Sequence, residues 1–429
     1  MRLGGRLSAA IEVLGDIEAR RRPVADALKD WGLSHRFAGS GDRSAVGNIV
    51  YDALRLKLSH AWLMDSADPL ALGYAVMFRQ WGMSPNQLTA ELDGDRFAPA
   101  PLPVEMAEAF ATRRLEDAPY HVQGDVPDWI VSHFVENFGD NWLREAQALA
   151  LRPSLDLRAN TLKANRDKVL AALADQGAQP SALARQGIRI PSGEGPSRLP
   201  NVTAELSFQK GWFEVQDEGS QLVADLVLAE DGEQILDYCA GGGGKTLALA
   251  ATMHNKGQVH AFDADRKRLA PIIERLKRAG TRNVQVHEHE KQLANLVGKC
   301  DRVVVDAPCT GTGTWRRRPD TKWRLTQKNL EERIGQQADA LAKASRYVRP
   351  GGFLTYITCS VLPGENQGQI ADFRAKNPEF ELVSALDGWK RLFGEKVSAP
   401  YSPEGLSLTL SPASTDTDGF YFALLRRKD

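Results

Sequence analysis

From about Val215 onward, segments with the composition of β-strands alternate with segments that have the spacing of helices. Strands are predicted at residues 234–238, 258–263, 284–288, 302–306 and 353–358, and helices at 246–253, 266–278 and 327–346. Such alternation is typical of a mainly parallel sheet that carries helices on both faces. Two more strands, 406–410 and 419–425, are expected to form a hairpin at one edge of that sheet.

The first half of the chain has a different character. Residues 1–145 are predicted to be helical, with one long helix at 44–64 because Val46, Ile49 and Leu54 share a face. The segment Asp125-Val126-Pro127-Asp128 is predicted to cap the helix that carries Phe134. Residues 150–215 mix short strands with a helix at 166–176. The sequence therefore predicts a helical domain (1–145), a small α/β module (150–215) and an α/β domain (216–429).

The composition excludes several classes of protein. The chain has 429 residues, of which 42% are hydrophobic, a net charge of -1 and four cysteines. The cysteines contain no CxxC pair, so neither a disulfide framework nor a zinc site is expected. The first residues lack the apolar segment of a signal peptide, and no apolar run approaches the ~20 residues of a membrane span. We expect a cytoplasmic protein without a membrane partner, and only local patches of charge can argue for nucleic acid.

A glycine-rich turn follows the first strand of the α/β domain, at residues 237–246 (DYCAGGGGKT). In open α/β sheets such a turn at the carboxyl end of a strand binds the cofactor. A phosphate-binding P-loop fits Gly244-Lys245-Thr246, but its first glycine would fall on Cys239. A loop for S-adenosylmethionine is favoured instead, because Asp263 ends the next strand and can accept both ribose hydroxyls. A glycine turn without a ligand is the third interpretation.

Two of the cysteines follow predicted strands, Cys309 after Asp306-Ala-Pro and Cys359 after Thr358. Carbon 5 of a pyrimidine is a weak nucleophile, and attack of a thiolate on carbon 6 activates it for methylation. Asp306 would bind the ring and stabilise charge that develops on it. The alternative for any single cysteine is a small buried hydrophobe, which we expect for Cys300. The pattern favours methylation of carbon 5 of a pyrimidine.

The stretch after Cys309 is rich in cations and tryptophan. Residues 315–324 contain five cationic side chains and one acid, and we predict that Arg316, Arg318 and Lys322 contact a nucleic acid, together with Lys245 of the glycine turn. A solvated charged loop is the alternative. To reach a thiol the target base must leave its stack, which is easiest in an unpaired segment.

These motifs together resemble the Fmu/Sun family of RNA (cytosine-5) methyltransferases. The resemblance rests on residues 237–246, 306–311 (DAPCTG), 316–323 and 358–366 (TCSVLPGEN), which occur in the family's order. The helical region is similar to the NusB-like RNA-binding domain of bacterial members. The resemblance implies a Rossmann-like class I methyltransferase domain, preceded by a small α/β RNA-binding module and an all-helical NusB-like domain.

The resemblance also implies roles for residues. Cys359 would be the nucleophile and Cys309 would help to release the methylated RNA. S-adenosyl-L-methionine would be held by Asp263, Asp306 and the loop residues Cys239, Ala240, Gly241, Gly242, Gly243, Gly244 and Lys245. The nucleic acid contacted by Arg316, Arg318, Lys322 and Lys245 would be RNA. The RNA implied is 16S ribosomal RNA, unassembled or partly assembled, with transfer RNA or another RNA as the alternative, and no obligatory protein partner is implied.

The chain departs from the family's pattern at two places. Gly242 stands where the family usually has proline. The acid expected after the third strand is not an aspartate, and Glu290, or less plausibly Glu288, would take its place near the adenine. His287 and His289 alternate with these acids, but two histidines without further partners predict no metal site.

Three other functions fit parts of the sequence. A DNA methyltransferase would use Cys309 as the nucleophile. A non-enzymatic RNA-binding factor would carry the motifs as relics, but the presence of both thiols and Asp306 argues against it. A P-loop ATPase is disfavoured by Cys239.

Overall fold

The structure is a computed structural model, and it describes residues 1–394 and 400–429. The chain folds into two compact units. The first consists of Met1–Pro153, Ser192–Leu199 and Trp315–Leu325, and the second of Ser154–Pro191, Pro200–Thr314 and Thr326–Asp429. The small module and the α/β domain of the sequence analysis thus lie in one compact unit.

The α-helices are named here in chain order. They are α1 (Leu3–Arg20), α2 (Val24–Ser34), α3 (Ser40–Arg55), α4 (Lys57–Met64), α5 (Pro69–Arg79), α6 (Pro85–Leu92), α7 (Val104–Thr112), α8 (Tyr120–Gln123), α9 (Val131–Phe138), α10 (Trp142–Ala148), α11 (Arg166–Ala172), α12 (Leu206–Gln209), α13 (Glu218–Asp225), α14 (Gly244–Thr252), α15 (Arg266–Leu269), α16 (Ile272–Ala279), α17 (Pro319–Arg324), α18 (Gln327–Ala344), α19 (Gln367–Lys376), α20 (Ala385–Phe393) and α21 (Pro412–Thr415).

The strands are β1 (Leu155–Ala159), β2 (Gln179–Pro180), β3 (Gly187–Ile190), β4 (Phe213–Val215), β5 (Gln234–Asp237), β6 (Gln258–Phe262), β7 (Val284–His287), β8 (Cys300–Asp306), β9 (Val348–Thr358), β10 (Phe380–Val383), β11 (Ser407–Leu410) and β12 (Phe420–Arg427). The first four form an antiparallel sheet in the order β2-β3-β1-β4. The others form a larger sheet in the order β10-β12-β9-β8-β5-β6-β7, in which β11 also pairs with β12.

The first unit is helical, as predicted. Its core is built on apolar faces of α1, α3 and α5, such as Leu7, Ile49 and Val76. The single helix predicted at 44–64 is broken at Leu56, and the Oδ1 atom of Asp125 accepts hydrogen bonds from the backbone N–H groups of Leu58 and Ser59. Asp125 therefore satisfies free N–H groups at the start of α4, rather than capping the helix of its own segment as the sequence predicted.

In the larger sheet, β9, β8, β5, β6 and β7 are parallel, as the alternation predicted. The apolar run of β8 explains its central place. Val303 and Val305 pack on one face, with Leu341 of α18, while Val304 packs on the other, with Leu222 of α13. A strand that is buried on both faces is apolar at consecutive positions. The predicted Rossmann-like fold is confirmed.

The last strands are arranged differently from the prediction. β12 does pair with β11 as a hairpin, but it lies inside the sheet, antiparallel to β9 on one side and to β10 and β11 on the other. The predicted helix at 266–278 is two helices, α15 and α16, separated at Ala270 and Pro271. In the described part of the chain, every helix is too short or too polar to cross a membrane.

Candidate active site

The carboxyl ends of β5, β6, β8 and β9 lie side by side, because these strands are parallel neighbours. The chain places its chemically active side chains at this edge. Asp237 ends β5, Asp263 follows β6, Asp306 ends β8 and Cys359 follows β9. Ligands of open α/β sheets bind at this edge, so the fold brings the predicted site residues together.

The glycine turn joins β5 to the N-terminus of α14 through two glycines with positive φ, Gly241 (+49°) and Gly243 (+84°). A Cβ atom on Gly243 would lie 2.5 Å from Ile272 of α16, so only glycine fits there. The carbonyl of Gly242, at the position where proline was expected, accepts a hydrogen bond from Arg275. An arginine thus holds the turn at the position where the family usually has a proline.

Asp263 is buried and fixes the turn from β6. Its Oδ2 atom accepts a hydrogen bond from the Gly241 backbone N–H at 2.9 Å, and its Oδ1 atom accepts one from the Asp265 N–H at 2.8 Å. The carboxylate therefore keeps a fixed place beside the turn, where it was predicted to face a ribose.

Asp237 lies beneath the turn and is fully buried. Its Oδ2 atom accepts a hydrogen bond from Thr246 Oγ1 at 2.6 Å, whereas Oδ1 has no hydrogen-bond partner in the structure. Burial raises the pKa of this carboxyl to about 7, and the Thr246 hydrogen bond opposes the shift. One buried acceptor at the base of the loop is thus left without a donor from the protein.

Lys245, the residue that ends the glycine run, is buried and points at Asp306. Its Nζ atom lies 3.1 Å from Asp306 Oδ2 and donates to Ser220 Oγ at 2.8 Å. Asp306 keeps 30% of its side-chain surface exposed, so a ligand can reach it. Ser220 of α13 was missed by the sequence analysis, because no motif marks it.

Tyr238 connects one of the two candidate acids after β7 to the glycine turn. Its hydroxyl donates to Glu290 Oε1 at 2.9 Å, which raises the pKa of Tyr238 together with burial. Glu288 is instead exposed and paired with Arg266. Because Tyr238 directly precedes Cys239 of the turn, Glu290 is the acid beside the loop.

The two thiols meet. Cys309 Sγ and Cys359 Sγ are 3.3 Å apart, and both side chains are partly exposed. The hydrogen bond with Cys359, and burial, raise the pKa of Cys309 well above its ordinary value. Cys309 therefore keeps its proton at neutral pH. Cys300 is buried in the core, as predicted.

Glu365, which the sequence analysis gave no role, joins the two cysteine loops. It is fully buried and accepts hydrogen bonds from the backbone N–H and the hydroxyl of Thr310, from the hydroxyl of Ser360 and from Gln337. Thr310 follows Cys309 and Ser360 follows Cys359, so one carboxylate sets the distance between both thiols. The sequence feature that could have identified Glu365 is its position in the motif at 358–366.

A second connection supports the Cys309 loop from the far end of the chain. The N–H of Gly419 donates to the carbonyl of Gly313 at 2.8 Å, and the N–H of Gly313 donates to the carbonyl of Cys359 at 3.0 Å. A Cβ atom on Gly313 would lie 2.2 Å from the oxygen of Gly419. The loop therefore packs directly against the start of β12.

The cationic stretch after Cys309 is not the exposed loop that the sequence predicted. Trp315 is fully buried and its ring stacks on Phe134, with centroids 6.0 Å apart. The Nζ atom of Lys322 donates to the carbonyl of Arg55 at 3.0 Å, and burial lowers the pKa of Lys322 to about 8. This stretch is part of the core of the first unit.

Two of the predicted RNA contacts are buried for this reason. Arg316 and Lys322 are only 3% and 1% exposed, so this structure does not present them to a phosphate. Contact of these two residues with RNA stays a prediction. Arg318 is exposed and stays a candidate.

The histidines near β7 do not assemble a metal site. His287 Nε2 lies 3.0 Å from His260 Nδ1, while His289 is exposed. Within residues 1–394 and 400–429, three or more His, Cys, Asp or Glu side chains nowhere group as metal ligands do.

Comparison with known proteins agrees with this geometry. A family model described as 16S rRNA methyltransferase RsmB/F matches residues 225–426. A model described as the ferredoxin-like domain of Methyltr_RsmF/B-like proteins matches residues 126–194, which include most of the small antiparallel sheet.

Individual proteins are similar as well. The chain is 33% identical over 309 residues to the Ribosomal RNA small subunit methyltransferase B of Klebsiella pneumoniae (strain 342), a match that covers 71% of this chain and 66% of the relative. The chain thus spans slightly less than two thirds of the length of that relative.

Among solved structures, the protein PH0851 aligns over 100% of both chains, with a TM-score of 0.74 and 24% identity. A Methyltransferase Homolog Protein from Pyrococcus horikoshii aligns over 72% of this chain and 97% of its own, with a TM-score of 0.59 and 26% identity. Residues 225–426, which hold the Rossmann-like sheet, the glycine turn and the two cysteine loops, thus match the 16S rRNA methyltransferase RsmB/F family model.

Proposed function

We propose that the chain transfers a methyl group from S-adenosyl-L-methionine to carbon 5 of a cytosine in RNA, through a covalent bond between Cys359 and carbon 6. The observation that carries this proposal is the pair of thiols 3.3 Å apart at the ends of β8 and β9, beside the Asp306–Lys245 ion pair. Few other reactions need a nucleophilic thiol, a second thiol and an acid at one edge of this fold.

The residues around the glycine turn fit the cofactor. The turn lets a ligand approach the backbone closely, Asp263 is fixed to accept from a ribose, and Glu290 lies beside the turn for the adenine. The buried Asp237 Oδ1 atom has no donor of its own. When bound at the glycine turn, S-adenosyl-L-methionine would supply an electrophilic methyl group.

The two thiols would have different roles. Cys359, as thiolate, would add to carbon 6 of the cytosine, which moves electron density to carbon 5. After methylation, loss of the carbon-5 proton and expulsion of the thiolate would restore the ring. The raised pKa of Cys309 suits a group that keeps its proton near Cys359 and supports release of the product, and not the nucleophile of a DNA-type enzyme.

Asp306 and Lys245 would bind the base. The Asp306 carboxylate, partly exposed, can accept a hydrogen bond from the amino group or the protonated ring nitrogen of the cytosine. Lys245, held by Ser220, would keep that carboxylate oriented. The direct RNA contact predicted for Lys245 is replaced here by this inward role, because its side chain is buried.

The substrate we propose is 16S ribosomal RNA before or during its assembly. The relative from Klebsiella pneumoniae carries a small-subunit ribosomal RNA methyltransferase name, and the matched family model names 16S rRNA. The target base would have to be unpaired, since the thiol reaches only a base outside its stack.

The test is methylation of a 16S rRNA transcript by the purified chain with labelled S-adenosylmethionine, followed by bisulfite sequencing of the product. We expect one or a few protected cytosines, lost in the Cys359→Ala variant and retained in Cys300→Ala, which alters a buried cysteine of the core. Activity that depends on Cys309 but survives Cys359→Ala would contradict the proposal and favour the DNA-type assignment.

A further inference from the structure

The small module carries a surface in which a tryptophan lies between lysines. The Nζ atom of Lys168 is 4.1 Å from the ring centroid of Trp212, and that of Lys210 is 5.5 Å from the same centroid. Both lysines are exposed, and Trp212 is partly exposed. Trp212, Lys168, Lys210 and Lys163 are called the Trp212 platform below.

The side chain of Lys163 reaches the end of α16, next to the segment that carries Trp212. Its Cε atom lies 2.4 Å from where a Cβ on Gly280 would be, so the exposed lysine crosses the turn after α16. Lys277 at the end of α16 is exposed as well. The platform therefore adjoins the end of α16, where the chain presents further positive charge.

The positive charge of the platform is not neutralised. Among the described residues, Lys163, Lys168 and Lys210 form no ion pair, and the nearby buried Glu214 is paired with Arg275 and Arg278. Unpaired cations around an aromatic ring are the composition of surfaces that bind single-stranded nucleic acid.

The platform is also held rigidly. Asn160 donates from Nδ2 to the carbonyls of Gly211 and Ala279, both at 2.8 Å, which ties the segment before Trp212 to the end of α16. A Cβ on Gly211 would lie 2.0 Å from the Arg278 oxygen, so the two backbones meet directly. Arg275 of the same helix holds the carbonyl of Gly242, so α16 links the platform to the glycine turn.

We propose that the Trp212 platform binds an unpaired stretch of the RNA substrate next to the target nucleotide. One base stacks on the Trp212 ring, and the lysines contact the phosphates on either side. Lys168 leaves the ring face for a phosphate when the base arrives, because an exposed cation–π contact is weak. This inference rests on the proposed function and specifies how the RNA is held.

The alternative is that the lysine stems only shield a partly buried ring of the module's core. The test must therefore separate stacking from packing. We compare Trp212→Phe, which keeps an aromatic face, with Trp212→Leu, which keeps apolar volume without one, and confirm by thermal unfolding that both variants fold.

The probe is a labelled 16S rRNA transcript, titrated at several salt concentrations. Trp212→Leu is expected to weaken binding by roughly tenfold at every salt concentration, with Trp212→Phe close to the wild type. Lys168→Gln/Lys210→Gln is expected to reduce the slope of log K against log salt by about 1.4. The matched control Lys376→Gln/Lys390→Gln changes two exposed lysines away from the platform.

Turnover gives the second measurement. The platform variants should raise KM for RNA and leave kcat at saturating RNA and the affinity for S-adenosylmethionine unchanged. If Trp212→Leu binds RNA as tightly as the wild type, or if the double lysine variant behaves as its control, the platform is structural and the inference is overturned. If the wild type itself methylates no RNA, the proposed function fails instead.

Discussion

The Sγ atoms of Cys309 and Cys359 lie 3.3 Å apart, although fifty residues separate them in the chain. The contact arises because β8 and β9 are parallel neighbours whose carboxyl ends are level, with Asp306 opposite Ile357. The two thiols can therefore face one bound substrate, and the roles proposed for them can be separated by substitution.

Replacing each thiol should stop the reaction at a different stage. Cys359→Ala removes the proposed nucleophile and is expected to lower kcat by at least about 10³-fold, with no covalent RNA complex on a denaturing gel. Cys309→Ala should still form the bond to carbon 6 but release product slowly, so that a covalent complex accumulates. A complex that accumulates in Cys359→Ala would reverse the two assignments.

Glu365 is expected to act as a positioning residue for both thiols. Glu365→Gln keeps the shape but removes the charge that four donors share, and we expect kcat to fall roughly tenfold, since small displacements at a reacting centre are costly. The affinity for S-adenosylmethionine should not change. The yield of the Cys309–Cys359 disulfide formed with diamide should fall as well, which a purely stabilising residue would not affect.

The control for Glu365 is Glu218→Gln. Glu218 is an equally buried carboxylate of the same unit, and it accepts from the N–H groups of Leu183 and Ala184. Its replacement should cost stability without altering kcat or disulfide yield. Equal effects of both substitutions on kcat would show that Glu365 acts through stability alone.

Asp237 should make stability depend on pH. Its pKa is about 7 in the folded protein against 3.8 for an ordinary aspartate, so between about pH 4 and 7 the folded chain holds a proton that the unfolded chain has released. The free energy of unfolding should therefore fall as pH rises through this window, by up to about 1.4 kcal/mol per pH unit from this group. In urea unfolding, the free energy of unfolding of Asp237→Asn should fall less steeply with rising pH than that of the wild type. Asp372→Asn, at an exposed position, should show the same pH dependence as the wild type.

The cations after Cys309 should differ in their effect on RNA binding. Arg318→Gln is expected to reduce the salt dependence of log K by about 0.7, because an exposed arginine can neutralise one phosphate. Lys322→Met should leave that slope unchanged, because its charge is turned to the carbonyl of Arg55. A loss of slope in Lys322→Met without unfolding would restore the original prediction.

The sequence analysis succeeded where the determinants were local. The apolar run Val303–Val305 and the glycines before α14 predicted the central strands and the loop, since periodicity and turn geometry act over a few residues. The motifs also placed Asp263, Asp306 and both thiols at one edge of the sheet, which the parallel strands then bring together.

The failures concern partners that are distant in the chain. Nothing near Lys322 indicates that its ammonium will meet the carbonyl of Arg55, 267 residues earlier, so a buried cation resembled an exposed one. Asp125 resembled a cap for its own helix because its actual donors, Leu58 and Ser59, lie more than sixty residues away. The place of β12 inside the sheet likewise depends on pairing with β9, which no local pattern encodes.

The pairing of β12 with β9 has a consequence for how the chain folds during its synthesis on the ribosome. Until residues 420–427 emerge, the edge of β9 is unpaired and the loop after Cys309 lacks its support from Gly419. Pairing between strands that are distant in the chain slows folding. Until it occurs, the unpaired edge of β9 can pair with a strand of another chain. We expect the two thiols to reach their final positions only after this strand has been synthesised. An incomplete nascent chain therefore contains both cysteines but not the arrangement in which they lie 3.3 Å apart.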